Sequence, residues 1–186
     1  MPRHLSTSII AVLVLSVAVT APATASDEEP PPEPPPPPPA VVVAGGTNVI
    51  PNGTSAHLEA CAPDVRRVAG SDRFATARAL TALADIDPTT VFVAQGRTFA
   101  DALPAGAAAN LAGSALVLVE RDGVPSSSRT VLDQVDPVTI VIVGGTAVID
   151  EATESELRAR YGSVERVAGA NRYETAVALA QRQHPD

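Results

Sequence analysis

Lysine is absent from this chain, and all 13 basic residues are arginines. A phosphate loop ending in Gly-Lys-Ser/Thr is therefore impossible, and no G-x-G-x-x-G fingerprint stands in its place. Cys61 is the single cysteine, which excludes an intramolecular disulfide and leaves the fold to stand on packing. A small buried hydrophobe is the preferred reading of Cys61 over a reactive or dimer-forming thiol. Histidine is nearly as scarce: beyond His4 there are only His57 and His184, with no His-Glu-x-x-His pattern. No catalytic residue and no metal ligand is assigned on this basis, and no cofactor is called for. Long hydrophobic runs are missing too. Ile9–Val19 falls short of the ~20 apolar residues a spanning helix needs, and nothing after it reaches that length, so no membrane span is expected.

What the amino terminus does contain is an export signal. Arg3 and His4 precede the apolar run, and Ala23-Thr24-Ala25 offers the small residues a signal peptidase requires, which predicts a signal peptide over 1–25 and a secreted protein. Residues 26–40 are acidic and then proline-rich. Pro30–Pro39, interrupted only by Glu33, predicts an extended polyproline II linker of about 30 Å. Cleavage leaves 12 arginines against 21 carboxylates, a net charge of about −9, which argues against nucleic acid as a partner. The remaining 41–186 region is long enough for one domain with a real core.

That region repeats itself. Residues 41–83 laid on 140–182, a shift of 99 without a gap, agree at 19 of 43 positions. The period is too long for a solenoid and implies a module with its own core, present as one full copy and part of another. Short β-branched runs alternate with alanine- and leucine-rich stretches throughout. Strands are expected at Val41–Ala44, Val65–Ala69, Val91–Ala94, Ala115–Val119, Thr139–Val143 and Val164–Ala168, and helices near Thr54–Ala60, Arg73–Ala84, Asp101–Leu111, Ser126–Gln134, Glu151–Arg160 and Arg172–Gln183. The strands are nearly continuous in apolar residues, as in a parallel sheet covered on both faces. The expected fold is α/β, Rossmann-like, with a mainly parallel sheet.

Several motifs recur across the repeat. Gly70-Ser71-Asp72-Arg73 and Gly169-Ala170-Asn171-Arg172 place a glycine at a strand end and Asp72 or Asn171 at a helix N-cap, and Glu174 completes a capping box in the second copy. Capping is the preferred role for Asp72 and Asn171. Arg73 and Arg172 have no such local reason, because the macrodipole disfavours a cation in the first helical turn. They either pair with a carboxylate between modules or offer planar forks to an anionic ligand. Asp101 follows a strand and starts a helix with Pro104 in its first turn. A local helix-starting role is preferred over a ligand role at the carboxyl edge of the sheet. Gly45-Gly46 and Gly144-Gly145 each lie between a strand and a helix, where backbone N–H groups can accept an anion.

Taken together, the stretch Arg67–Ala77, the segment Phe99-Ala100-Asp101-Ala102-Leu103 and the run Val141-Ile142-Val143-Gly144-Gly145 resemble the cell wall-binding repeat 2 family of Gram-positive surface proteins, over nearly all of Val41–Gln183. The resemblance implies a Rossmann-like module without catalytic activity, commonly in three copies around a pseudo-threefold, that attaches a surface protein non-covalently to an anionic wall polymer. Arg67, Asp72, Arg73, Thr76, Asp101, Arg166, Asn171, Arg172 and Thr175 are the residues it assigns to polymer binding or to the interface between modules. The family's Pro-Ile-Leu-Leu stretch falls on Ala115-Leu116-Val117-Leu118, where alanine replaces the proline. Because the second copy is partial, a homotrimer of chains is expected to restore the threefold, with the βα units at 41–60 and 163–183 exchanging between neighbours. Two rival readings are an extracellular α/β enzyme or nucleotide binder, and a self-assembling fragment without wall affinity.

Overall fold

The computed structural model describes residues 41–84, 86, 87 and 89–183; the expected signal peptide and proline-rich linker lie outside the described residues. Strands and helices alternate strictly. They are β1 (Val41–Ala44), α1 (Asn52–Glu59), β2 (Val65–Val68), α2 (Arg73–Thr81), β3 (Thr90–Gln95), α3 (Ala102–Leu111), β4 (Ala115–Val119), α4 (Ser126–Val135), β5 (Thr139–Val143), α5 (Glu151–Tyr161), β6 (Ser163–Val167) and α6 (Arg172–Gln183). Every expected element is present, with ends shifted by a few residues at most.

The strands form two parallel sheets. β3 to β6 build a four-stranded sheet in the order β4-β3-β5-β6, and β1 pairs with β2 alone. In register, Val91 of β3 faces Ala115 on one side and Ile140 on the other. β3 and β5 are the central strands, and burial follows position. All of Val91, Phe92, Val93 and Ala94, and all of Ile140, Val141, Ile142 and Val143, are fully buried. Their apolar side chains point alternately into two cores. On one face Val91, Val93, Ile140 and Ile142 pack against Val131 and Leu132 of α4 and Leu157 and Tyr161 of α5. On the other, Phe92, Ala94, Val141 and Val143 meet the alanines Ala105, Ala108 and Ala109 of α3 and Leu179 of α6. Each large side chain so buried contributes ~1.5–3 kcal/mol, which explains why β-branched runs were placed in these strands and small alanines on the helix lying closest.

Two expectations need correction. Coverage on both faces holds for β3 and β5 but not for the edge strands: β4 alternates buried and half-buried residues, and Val42 of β1 is 46% exposed. Cys61 is exposed rather than buried, because α1 contributes no buried residue and its carboxyl end covers no core. The unit 163–183 is joined to the larger sheet through β5, whereas β1 and β2 pair with each other outside it.

The two-stranded unit is tied to the rest through α2, which lies against β4 and α4. Phe74 is 8% exposed and sits so close to the turn after β3 that a Cβ on Gly96 would come within 2.6 Å of its ring. Arg73 adds a hydrogen bond to the Gly96 carbonyl at 3.1 Å. The counterpart of Phe74 on α6 finds no such surface: Tyr173 is 77% exposed.

Candidate functional site

The order β4-β3-β5-β6 places a change of winding direction between β3 and β5: the chain leaves β3 toward one edge and returns to its other side. In open parallel sheets the loops diverge at such a point and leave a crevice at the carboxyl ends of the strands, where ligands bind. Here the crevice is an open cavity of about 270 Å³ lined by Thr98, Ala100 and Asp101 after β3, Gly145, Ala147 and Val148 after β5, and Gly169, Ala170, Asn171, Arg172 and Thr175 after β6. Five of the sequence-predicted residues, Asp101, Gly145, Asn171, Arg172 and Thr175, therefore meet in one place.

The loop architecture around the crevice is built by local hydrogen bonds. Asn171 Oδ1 accepts from the Tyr173 and Glu174 amides at 2.9 and 3.0 Å, while the Glu174 carboxylate accepts from the Asn171 side-chain amide at 2.8 Å and from the Ala170 amide at 3.0 Å. Thr175, 3% exposed, accepts from the Gly169 amide at 3.0 Å. Asp72 and Thr76 do the same in the first copy, accepting from Ala75 and Gly70 at 2.8 and 2.9 Å. Asp72 and Asn171 thus cap their helices in this structure, while Thr76 and Thr175 tie the preceding glycine to the first helical turn. Gly169 is dictated by the same corner, since a Cβ there would lie 2.3 Å from the Glu174 Cβ.

Arg67 and Arg166 brace the glycine loops from behind. Arg166 donates to the Gly144 carbonyl at 2.7 Å and forms a two-pronged pair with Glu154 Oε2 at 2.7 and 3.0 Å, and Arg67 donates to Gly45 at 2.7 Å and to Ser55 at 2.5 Å. Glu154 and Ser55 occupy equivalent positions in the repeat, and neither was singled out from the sequence; the signal was a polar residue at the same site of both α1 and α5. Arg166 beside Glu154 holds that carboxyl below its ordinary range, with Arg158 adding to the effect.

Asp101 departs from the local role its position suggested. It stands at the N-cap of α3 yet makes no capping hydrogen bond. It is 7% exposed, and its Oδ1 is buried with no hydrogen-bond partner. Burial pushes its pKa up, and Arg172 pulls it partly back. Among the described residues Arg172 makes no hydrogen bond or ion pair, whereas Arg73 is engaged with Gly96. Gly144 makes room for the carboxylate: its φ is 113°, and a Cβ on it would stand 2.8 Å from Asp101 Oδ2. The crevice thus sets an uncommitted guanidinium beside a desolvated acceptor, a combination that suits a ligand carrying an anion and a hydrogen-bond donor.

The first copy offers only part of this. Gly45, Gly46, Gly70, Asp72, Arg73 and Thr76 line a wider opening of about 570 Å³, with no counterpart of Asp101 among its residues. A third cavity, about 590 Å³, lies between Asp72, Arg73 and the paired Arg97 and Glu120, whose charges satisfy each other at 2.6 Å. Among the described residues no group of three or more His, Cys, Asp or Glu could hold a metal ion, and no helix is long and apolar enough to cross a membrane.

Comparison with known proteins finds a family match over part of the chain. Residues 67–154 match the model of Cell wall binding domain 2 (CWB2), the family that the sequence motifs resemble. The chain is 30% identical over 117 residues to the N-acetylmuramoyl-L-alanine amidase LytC of Bacillus subtilis (strain 168), covering 63% of this chain and 24% of that protein. It is 28% identical over 116 residues to the Amidase enhancer of the same organism, covering 62% of this chain and 16% of that one. It therefore spans a quarter or less of these relatives. Among solved structures, Cwp6 from Clostridium difficile superposes with a TM-score of 0.70 at 20% identity, over 79% of this chain and 24% of that chain, and Cwp8 with 0.65 at 24% identity, over 77% and 24%. These superpositions establish the alternating parallel α/β fold.

Proposed function

We propose, from the match of residues 67–154 to a wall-binding family, that this protein is an exported, non-catalytic module that binds an anionic polymer of the bacterial cell wall and holds protein at the cell surface. The observation that carries the reading to a site is Arg172, a guanidinium with no hydrogen bond or ion pair among the described residues, at the switch point of the sheet. A net charge of about −9 repels a polyanion at long range, so attraction has to be local, through arginine forks or through divalent cations bridging polymer and protein. Gly145 adds a backbone group at this crevice, and Gly45-Gly46 do so at the separate opening of the first copy.

Self-association is part of the proposal. Phe99, Leu103, Leu111, Tyr173 and Val177 are all more than half exposed, and an apolar groove runs between α3 and α6. A homotrimer would cover such surface and the free edge of β1. A monomeric mass by light scattering at working concentration would remove it.

The wall reading is tested by co-sedimentation with wall sacculi before and after acid extraction of their anionic polymers. Retention that disappears with the polymers is the expected result, and no retention on either sample refutes the assignment.

A further inference from the structure

We propose that the crevice between Asp101, Asn171 and Arg172 is a subsite for one unit of a hydroxylated anion, with the anionic group on the Arg172 guanidinium and a free hydroxyl of the same unit donating to Asp101 Oδ1. The inference rests on the wall-polymer reading and adds to it the chemistry of the unit recognised.

The pairing of groups carries the argument. An anion alone would be served best by arginine with no carboxylate nearby, since a buried Asp beside the site repels it. A cation alone would gain nothing from Arg172. Asp101 is buried, makes no capping bond, and leaves Oδ1 unpartnered, so among the described residues no hydrogen bond explains its position. An unsatisfied buried acceptor is destabilising, and such groups gather where a ligand completes them. A hydroxyl is the neutral donor that fits: it satisfies Oδ1 without adding charge next to Arg172. The cavity, at about 270 Å³, is near the small end of ligand pockets and has room for one unit of a chain, not for several. Gly144 keeps the carboxylate in place by having no side chain there. Asn171 is occupied as the cap of α6, so it forms the wall of the subsite while Asp101 and Arg172 read the ligand.

Two classes of unit share this chemistry, hydroxylated phosphate esters and uronic acids. Amide chemical shifts of the purified protein, titrated with glucose 1-phosphate against inorganic phosphate and with glucuronate against acetate, separate them. In the wild type at least one hydroxylated probe is expected to bind about tenfold more tightly than its hydroxyl-free parent, shifting Asp101, Gly145 and Arg172. Asp101→Ala is expected to remove that preference while leaving the parent anion bound as well or better, and to raise the melting temperature by a few degrees. Arg172→Gln is expected to weaken all four probes. A crossed response of this kind cannot come from a carboxylate that merely shapes the fold. Equal affinity of hydroxylated probes and parents, an unchanged preference in Asp101→Ala, or a lowered melting temperature in that variant overturns the subsite. The sacculus assay separates the two claims: retention of the wild type with no preference among probes sinks only the subsite, and a clear preference without retention sinks only the wall assignment.

Discussion

The sharpest test of the crevice geometry is Gly144→Ala. Gly144 has a φ of 113°, a region nearly closed to residues with a Cβ, and holding a side chain there costs on the order of 1–3 kcal/mol. The new methyl would also stand 2.7 Å from Val148 Cγ2 and 2.8 Å from Asp101 Oδ2, and forcing such contacts apart adds about 1–3 kcal/mol. A total near 4 kcal/mol follows, and at ~2–4 °C per kcal/mol for a domain of this size the melting temperature should fall by roughly 8–16 °C in calorimetry. Gly145→Ala is the control: a Cβ there meets nothing within 4 Å, so its melting temperature should stay close to wild type. Because part of the penalty is a collision with the Asp101 carboxylate, the double variant Gly144→Ala/Asp101→Ala should recover on the order of 1 kcal/mol relative to additivity. The reasoning fails if Gly144→Ala melts like Gly145→Ala, or if its penalty is the same with and without the carboxylate.

The raised pKa of Asp101 gives a pH dependence with a definite sign. A folded pKa above the unfolded value means that the native state holds the proton more strongly, so the ionised carboxylate costs stability above its folded pKa and the cost is relieved as pH falls through that value toward the ordinary one of about 3.9. The melting temperature of Asp101→Ala should therefore exceed that of wild type at pH 7, and the gap should shrink toward pH 4; a constant gap would contradict the assignment. The repeat supplies a second comparison, between Phe74 and Tyr173. Phe74→Ala should cost ~3–5 kcal/mol in urea denaturation because its ring is buried against the turn after β3, and Tyr173→Ala should stay within about 0.5 kcal/mol, because its ring is 77% exposed.

Much of this was legible from residue pattern. The runs at 91–94, 115–119 and 139–143 read as covered parallel strands because central strands are buried on both faces, and β3 and β5 obey that fully. Edge strands obey it less, and no local signal in Val41–Ala44 announces that β1 would find only one partner, since the strand order is decided by contacts far apart in sequence. Capping was legible for Asp72 and Asn171 because it depends on three adjacent residues. The same logic misled at Asp101, where helix-starting position suggested a cap; the carboxylate is taken up instead by the space that Gly144, 43 positions later, leaves open. Cys61 was misread for a related reason: its burial depends on whether α1 covers a core, and it does not.

The repeat itself explains why two sites similar in sequence should differ in function. Arg73 and Arg172 open equivalent helices, but the surface after each is different. Arg73 finds the turn after β3 and donates to the Gly96 carbonyl, so it belongs to the contacts that fix α2 against the larger sheet. Arg172 faces the crevice and Asp101 instead. The sequence reading gives both the same role, and in the structure their surroundings differ. Arg172→Gln should therefore abolish retention on wall sacculi while leaving stability within about 0.5 kcal/mol of wild type, as for a surface residue without partners. Arg73→Gln should show the reverse, a loss of about 1 kcal/mol for one hydrogen bond with retention kept. If both variants lose retention equally at unchanged stability, the two openings act as equivalent sites, and the buried carboxylate that distinguishes them has no part in binding.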